Sequence, residues 1–172
     1  GAGELLRHLG IGLALQELVH RPRVLEMTHE PVVAFDLGPE TRERIGTVAK
    51  AHEDRTTDQI AVLTVPTLGG ESVEEFANRV FAAWKLGQKG KDNGVLVVVA
   101  PQDRKLRIEV GYGLEGSLTD VAASRIIRNV MTPAFKSGDF DHGIPDGVAA
   151  IVAQLEGQSS AAGQSATFAD TP

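Results

Sequence analysis

The most apolar stretch of the chain, Gly94–Ala100 (GVLVVVA), decides the fold. A run of this length with no polar position on either face predicts a central β-strand that other elements cover on both sides. It is followed by a predicted turn at Pro101–Arg104. Beyond the turn, Leu106, Ile108 and Val110 alternate with charged residues, which predicts a half-exposed strand paired with the first as a hairpin.

Helical and strand patterns alternate on the N-terminal side of this hairpin. A first-turn proline, Pro39, is typical of a helix start, and apolar residues then recur on one face as far as about Asp54. Gln59–Val65 (QIAVLTV) is an apolar run of strand length. Ser72 and Glu75 form a capping box at the start of another predicted helix.

Two further helices are predicted on the C-terminal side. Apolar residues at helical spacing run from Ala122 to Met131, and this helix is expected to break before Pro133. A second apolar set runs from Ile144 to Leu155. Helices and strands that alternate around a buried strand predict an α/β fold, a single-domain three-layer α/β/α sandwich with a mixed central sheet.

The two ends of the chain are expected to lie outside this domain, which is placed at residues 31–156. Residues 1–30 form a poorly defined extension, in which an apolar run favours a short amphipathic helix over a signal peptide because no small-residue cleavage site follows it. Residues 157–172 are rich in Gly, Ser, Ala and Gln, a composition that predicts a flexible linker leading to a further segment.

Composition excludes several classes of protein. The chain has 172 residues, 42% hydrophobic and 23% charged, as expected for one globular domain rather than a disordered or fibrous chain. Its net charge of −6 argues against a general nucleic-acid binder, which must neutralise phosphates. The absence of cysteine excludes disulfides, thiolate metal sites and a cysteine nucleophile. No run reaches the ~18 apolar residues needed to span a bilayer.

Acidic residues stand near several predicted strand ends. Asp36 follows an apolar run, Asp92 comes just before the central strand, and Glu115 and Asp120 lie in the glycine-rich loop GYGLEGSLTD. Loops converge at strand ends in open α/β sheets, and a hard cation such as Ca²⁺ or Mg²⁺ needs several oxygen ligands at once. Asp36, Asp92 and Asp120 are therefore candidate ligands of one divalent cation, and Glu115 is an extra candidate because it lies in the same glycine-rich loop as Asp120. The alternative is that Asp120 only complements a helix dipole and Asp92 only belongs to a turn.

Basic residues are concentrated around the central strand. Between Lys85 and Arg107 six basic residues stand against two acidic ones, a local balance of 6 − 2 = +4 in a chain of −6. Such a region suits a phosphate, an anionic partner surface or lipid headgroups, and equally a plain solvated face. The segment GQKGKDNG lacks the ending of a P-loop and precedes a strand, so it is a weak indication of a nucleotide site.

The sequence offers no evident catalytic nucleophile, because it has no cysteine and no serine in a strand–turn–helix elbow. His52 falls on the apolar side of a predicted helix and is expected to be packed, whereas His142 lies in the loop GDFDHG and is a candidate ligand contact. Trp84 is expected to cap the core, and Tyr112 to support the glycine-rich loop.

Three stretches in order resemble the TPM domain family: WKLGQKGKDNGVLVVV (84–99), DRKLRIEVGYGLEGSLTD (103–120) and PAFKSGDFDHGI (133–144). The family includes a thylakoid-lumen protein of photosystem II repair and many bacterial membrane-anchored or secreted proteins. The resemblance, from about residue 32 to 156, implies an α/β domain with a mixed sheet between helices. Asp92 and Asp120 resemble the acidic site of that family, and Asp36 takes the place of an aspartate before its first long helix.

The resemblance also implies a setting and a choice of functions. Members have been linked to divalent-metal binding, to weak acid phosphatase activity, and to assembly or repair of membrane complexes. We expect an extracytoplasmic domain, periplasmic or at the cell surface and membrane-anchored in the full-length protein. It would bind calcium and act as an accessory module toward a membrane protein complex or an anionic surface. The alternative is a metal-dependent phosphatase in which Lys89, Lys91 and Arg104 steer phosphate. The third hypothesis is a purely structural domain whose acidic loops are only solvated.

Overall fold

Four strands form one mixed sheet in the computed structural model, which describes residues 32–34 and 37–168. They are β1 (Val32–Ala34), β2 (Gln59–Thr64), β3 (Gly94–Ala100) and β4 (Lys105–Val110). They lie side by side in chain order, with β1, β2 and β3 parallel and β4 antiparallel to β3. The predicted mixed sheet and its hairpin are confirmed. The extension predicted at residues 1–30 and the candidate ligand Asp36 lie outside the described residues.

Helices cover the sheet on both sides. The five α-helices of the described residues are α1 (Pro39–Thr56), α2 (Val73–Trp84), α3 (Asp120–Ile126), α4 (Thr132–Lys136) and α5 (Phe140–Phe168). Half of the predicted capping box is present, because the Ser72 hydroxyl accepts a hydrogen bond of 3.1 Å from the backbone N–H of Glu75. The described residues show no return bond from the Ser72 N–H to the Glu75 side chain. Within the described part of the chain, no helix has the length and apolar character of a membrane span.

Alternate residues of β3 enter two separate cores. Val95, Val97 and Val99 pack in the core formed with α1, α3 and α5, whereas Leu96 and Val98 pack in the core formed with α2. Every residue of β3 is buried, which confirms the predicted central strand and the three-layer sandwich.

The helices α1 and α2 lie on opposite faces of the sheet. Each connects one parallel strand to the next, and both steps run in the same direction across the sheet. The two crossovers therefore have opposite hands, and one of them has the left-handed sense that such connections seldom take.

The helix predicted to break before Pro133 continues past it. The backbone N–H of Thr132 bonds to the carbonyl of Ile127, one residue further back than in an α-helix, and Ile127–Met131 forms a π-helical turn. Pro133 then lies in the first turn of α4, where its missing N–H costs least. The predicted break is thus replaced by a π-turn.

The helix α5 also extends beyond its predicted end. Its backbone is helical to Phe168, through most of the segment whose composition predicts a flexible linker. Alanine and glutamine are adequate helix formers, and the helix is already established when it reaches this segment.

Candidate functional site

Two loops interlock at the edge of the sheet where β3 begins and β4 ends. We call them the interlocked loops, residues 87–93 and 111–120. The backbone N–H of Gly113 donates to the carbonyl of Asp92 at 2.9 Å, and that of Gly111 donates to Gly94 at 2.7 Å. A Cβ atom on Gly113 would lie 1.9 Å from the carbonyl oxygen of Lys91. Glycine is therefore required here for close approach of the two backbones.

Three of the candidate ligands lie on these loops. Asp92, Glu115 and Asp120 are exposed, and among the described residues their carboxylates have no ion pair or hydrogen bond. Asp92 has a positive φ of 48°, a conformation that aspartate and asparagine tolerate better than most residues. Asp120 is the first residue of α3, where its charge complements the helix dipole, while Thr119 caps the helix.

The described residues do not complete a metal site. Among them, no group of three or more histidine, aspartate or glutamate side chains is arranged to hold an ion. The strand register separates the end of β1 from Asp92. Ala34, the last residue of β1, pairs with Thr64, and Thr64 pairs with Val99. Val99 lies near the opposite end of β3 from Asp92. Asp36 itself lies outside the described residues, so its part in the site stays a prediction.

A buried polar network fixes the first interlocked loop to the domain. The side-chain amide of Asn93 donates to the Thr57 hydroxyl at 3.1 Å and to the Asp58 carboxylate at 3.2 Å, and its carbonyl accepts from the backbone N–H of Gln88 at 2.8 Å. Asn93 is buried, so these bonds replace those it would make with water. Asn93 therefore holds this loop in place through hydrogen bonds to three other residues.

The same network continues to a fully buried histidine. Nε2 of His52 lies 2.9 Å from the Asp58 carboxylate, and Nδ1 lies 3.0 Å from the Glu156 carboxylate on α5. Hydrogen bonds from His52 and Arg55 hold the pKa of Glu156 below its ordinary value. The prediction that His52 is packed is confirmed. Its two partners, 6 and 104 residues away in sequence, join α1 to the connection before β2 and to α5.

The two aromatic residues singled out in the sequence behave differently. Trp84 is buried in the core under α2, as predicted. Tyr112 does not support its loop through packing, because 81% of its surface is exposed. The glycines bring the backbones together without it, and the ring points away from the core. Val121, at 65%, is the other large apolar side chain that is strongly exposed among the described residues.

The remaining candidates are spread over the molecule. Lys91 lies on the first interlocked loop, with Nζ 3.4 Å from the Thr57 hydroxyl. Arg104 lies beyond the opposite end of β3, about 20 Å away along a strand of seven residues. The basic region therefore does not form one patch. His142 is exposed and pairs with Asp139 at 2.9 Å, and this contact lowers the pKa of Asp139.

These features define an α/β domain with a mixed sheet between two helical layers and glycine-dependent interlocked loops at one sheet edge. A TPM domain family model matches residues 36–154. The chain therefore belongs to the TPM domain family. A comparison with curated proteins found no match.

Solved structures support this assignment. The N-terminal domain of a protein from P. gingivalis is 32% identical, with a TM-score of 0.73, over 80% of this chain and 88% of that one. A protein from the psychrophilic bacterium Bizionia argentinensis is 26% identical, with a TM-score of 0.61, over 72% and 83%. The N-terminal domain of a Corynebacterium glutamicum protein, at 16% identity, a TM-score of 0.57 and coverage of 78% and 82%, shares the fold.

Proposed function

We propose that this TPM domain is a non-catalytic accessory domain that binds a partner, and a divalent cation, at the interlocked loops. The observation that carries the proposal is the interlock itself. It fixes Tyr112 and the backbone near Asp92 in one place without using either side chain for packing. Side chains left free on a rigid loop are suited to recognition.

Tyr112 supports the partner-binding part of the proposal. Its side chain is 81% exposed, and the Gly113–Asp92 hydrogen bond restrains the backbone beside it. A tyrosine on an ordered loop brings a large contact area at a small cost in conformational entropy, and such residues often dominate binding energy. Val121 extends the exposed apolar surface at the start of α3.

The three exposed carboxylates support the cation-binding part. Calcium takes six to eight oxygen ligands, and Asp92, Glu115 and Asp120 have no competing partner among the described residues. Since these residues do not by themselves form a group that holds an ion, further oxygens must come from water or from the partner. Calcium is the cation we expect, and magnesium is the alternative.

The setting and the alternative activity are also proposals. The family resemblance favours an extracytoplasmic domain of a membrane-anchored protein, acting on a membrane protein complex or an anionic surface. It also keeps a weak metal-dependent phosphatase as the second candidate. A phosphatase would hydrolyse a generic phosphate ester in the presence of magnesium or calcium, and the activity would fall when Asp92 or Asp120 loses its charge.

The cation is tested by thermal melting at increasing calcium or magnesium concentration. A bound ion raises the melting temperature by mass action. The variant Asp92→Asn is preferred to alanine because asparagine accepts the positive φ while it removes the charge. With Asp120→Asn it should abolish the shift, whereas Asp146→Asn on α5 should not. A wild-type shift that survives in the double variant would place the ion elsewhere.

The partner is tested by affinity capture from a detergent-solubilised envelope fraction. We expect one species that the wild-type domain retains and Tyr112→Ser does not, with and without calcium. The matched control is Ser124→Ala, an exposed position on α3. Equal retention by Tyr112→Ser would remove the partner-binding role of this loop.

A further inference from the structure

A pocket of about 370 Å³ opens at the other end of β3, away from the interlocked loops. Its floor is the end of β3 and the start of β4, and its walls come from the β3–β4 turn, α4 and the start of α5. The seven residues of β3 separate it from the interlocked loops by about 20 Å. The pocket is therefore independent of the surface assigned above to partner and cation.

One wall of the pocket is apolar and aromatic. Phe135 and Phe140 both line it and pack against each other, with ring centroids 4.7 Å apart and planes tilted by 32°. Pro101 and Leu106 line the facing wall. Both phenylalanines are only partly buried, so they retain apolar surface toward the pocket. A flat apolar group would cover this surface.

The mouth of the pocket carries three cations. Arg104, Lys105 and Lys136 line it and are exposed, and no carboxylate pairs with any of them among the described residues. Arg104 also has a positive φ of 52°, which glycine or asparagine would adopt at lower cost. The Thr132 hydroxyl adds a neutral hydrogen-bonding group to the same lining.

The nearby acidic side chains are engaged elsewhere. Asp103, in the same turn as Arg104, accepts hydrogen bonds from the backbone N–H of Leu68 at 2.6 Å and from the Thr67 hydroxyl. The carboxylate of Asp139 is held by His142. That of Asp141 accepts from Thr41 at 2.6 Å. These carboxylates are thus bound to other groups and do not pair with the cations at the mouth. The pocket therefore keeps a positive potential.

From these contacts we infer that the pocket binds a small amphiphilic anion: a carboxylate or phosphate-type group on a flat apolar body. The oxyanion lies at the mouth against Arg104, Lys105 and Lys136, and the apolar body lies against Phe135 and Phe140. The volume is at the lower end for small-molecule sites and fits one or two rings. Lysine and arginine offer charged donors to either kind of oxyanion.

The test uses 2-naphthoate and 2-naphthylphosphonate as probes on ¹⁵N-labelled protein, with amide chemical shifts as the readout. We expect saturable shifts at the backbone amides of residues 102–106, 132 and 134–140 with at least one probe. The neutral analogue 2-naphthylmethanol and inorganic phosphate alone should each bind at least tenfold more weakly, because each lacks half of the recognised chemistry. The two probes distinguish a carboxylate from a phosphate-type ligand.

Substitutions of the basic residues identify which cations bind the anionic group of the probe. Lys136→Gln removes an exposed charge, and Arg104→Asn removes a charge while it accepts the positive φ, so both should fold. Together they should weaken binding of the effective probe at least tenfold. The control Lys89→Gln removes an exposed charge at the other sheet edge and should leave binding unchanged. Asp92→Asn should also leave it unchanged, which separates this site from the proposed function.

Three results would overturn the inference. One is the absence of saturable shifts at these amides with both probes. Another is equal affinity for 2-naphthylmethanol and 2-naphthoate, which would make the pocket merely apolar. The third is unchanged binding in the double variant when melting shows that it is folded.

Discussion

Replacement of Gly113 by alanine tests the interlock on which the proposed site depends. The added Cβ would lie 1.9 Å from the carbonyl oxygen of Lys91, whereas ordinary contact begins at 3.4 Å. The loops must separate by about 3.4 − 1.9 = 1.5 Å, because the clashing atom belongs to the backbone and cannot rotate away. The hydrogen bond from Gly113 to Asp92, now 2.9 Å, is then lost or badly stretched.

Two contributions set the size of the effect. Loss of the hydrogen bond costs roughly 1 kcal/mol, and overpacking of a closely packed contact costs roughly 1–3 kcal/mol. The free energy of unfolding should therefore fall by about 2–4 kcal/mol. In a chain of this size each kcal/mol lowers the melting temperature by about 2–4 °C, so a decrease of roughly 4–16 °C is expected.

The assay is thermal and urea unfolding of Gly113→Ala beside Gly116→Ala. Gly116 lies in the same loop, but a Cβ there meets nothing within 4 Å. Its alanine variant should keep or slightly raise the stability, because alanine restricts the unfolded chain. Equal melting temperatures for the two variants would refute the reasoning, since the close approach at Gly113 would then not constrain the loops.

Three further predictions concern stability. Ser72→Ala removes the cap of α2 and should lower the free energy of unfolding by about 1 kcal/mol in urea titration, whereas Ser72→Thr should lose much less. Asn93→Ala breaks three buried hydrogen bonds and should lower the free energy of unfolding by about 2–3 kcal/mol in the same assay. Asp92→Asn should lower it little. A larger loss for Asp92→Asn than for Asn93→Ala would contradict the proposed hydrogen-bond network. Because the folded pKa of Glu156 is depressed, its stabilisation is present above the ordinary glutamate pKa and is lost as pH falls through the folded pKa. Glu156→Gln should therefore lower the melting temperature at neutral pH, and the difference from wild type should shrink below about pH 4.

The central strand, the β3–β4 hairpin and the start of α2 could be predicted because each depends on a few residues that are close together in the sequence. The apolar run Gly94–Ala100 leaves no face for solvent, so it had to be a central strand. The alternation in β4 and the cap at Ser72 are likewise properties of a few neighbouring residues. Most of β3 and all of β4 also lie within the stretches that carried the family resemblance, which the comparison confirms.

The site was less predictable because its contacts are distant in sequence. His52 meets Glu156 across 104 residues, and Asn93 meets Asp58 across 35, so no spacing rule relates them. The exposure of Tyr112 depends on how closely two loops approach each other. The glycines allow this close approach, but their presence in the sequence does not predict it. Local rules were also insufficient at Pro133. They predict that the helix breaks before this proline, but in the structure a π-helical turn lets the chain continue into α4.

The two outer strands of the described sheet have a consequence for the behaviour of the protein at high concentration. At one margin the described part of β1 has three residues, too few to template a long ladder with another molecule. At the other, Lys105, Arg107 and Glu109 place charge on every second residue of β4, with Arg107 and Glu109 paired at 2.7 Å. A second copy that aligned against either margin would gain few backbone bonds or would desolvate ions. Fibril growth by strand addition is thereby disfavoured, and concentrated samples for spectroscopy should stay free of such aggregates.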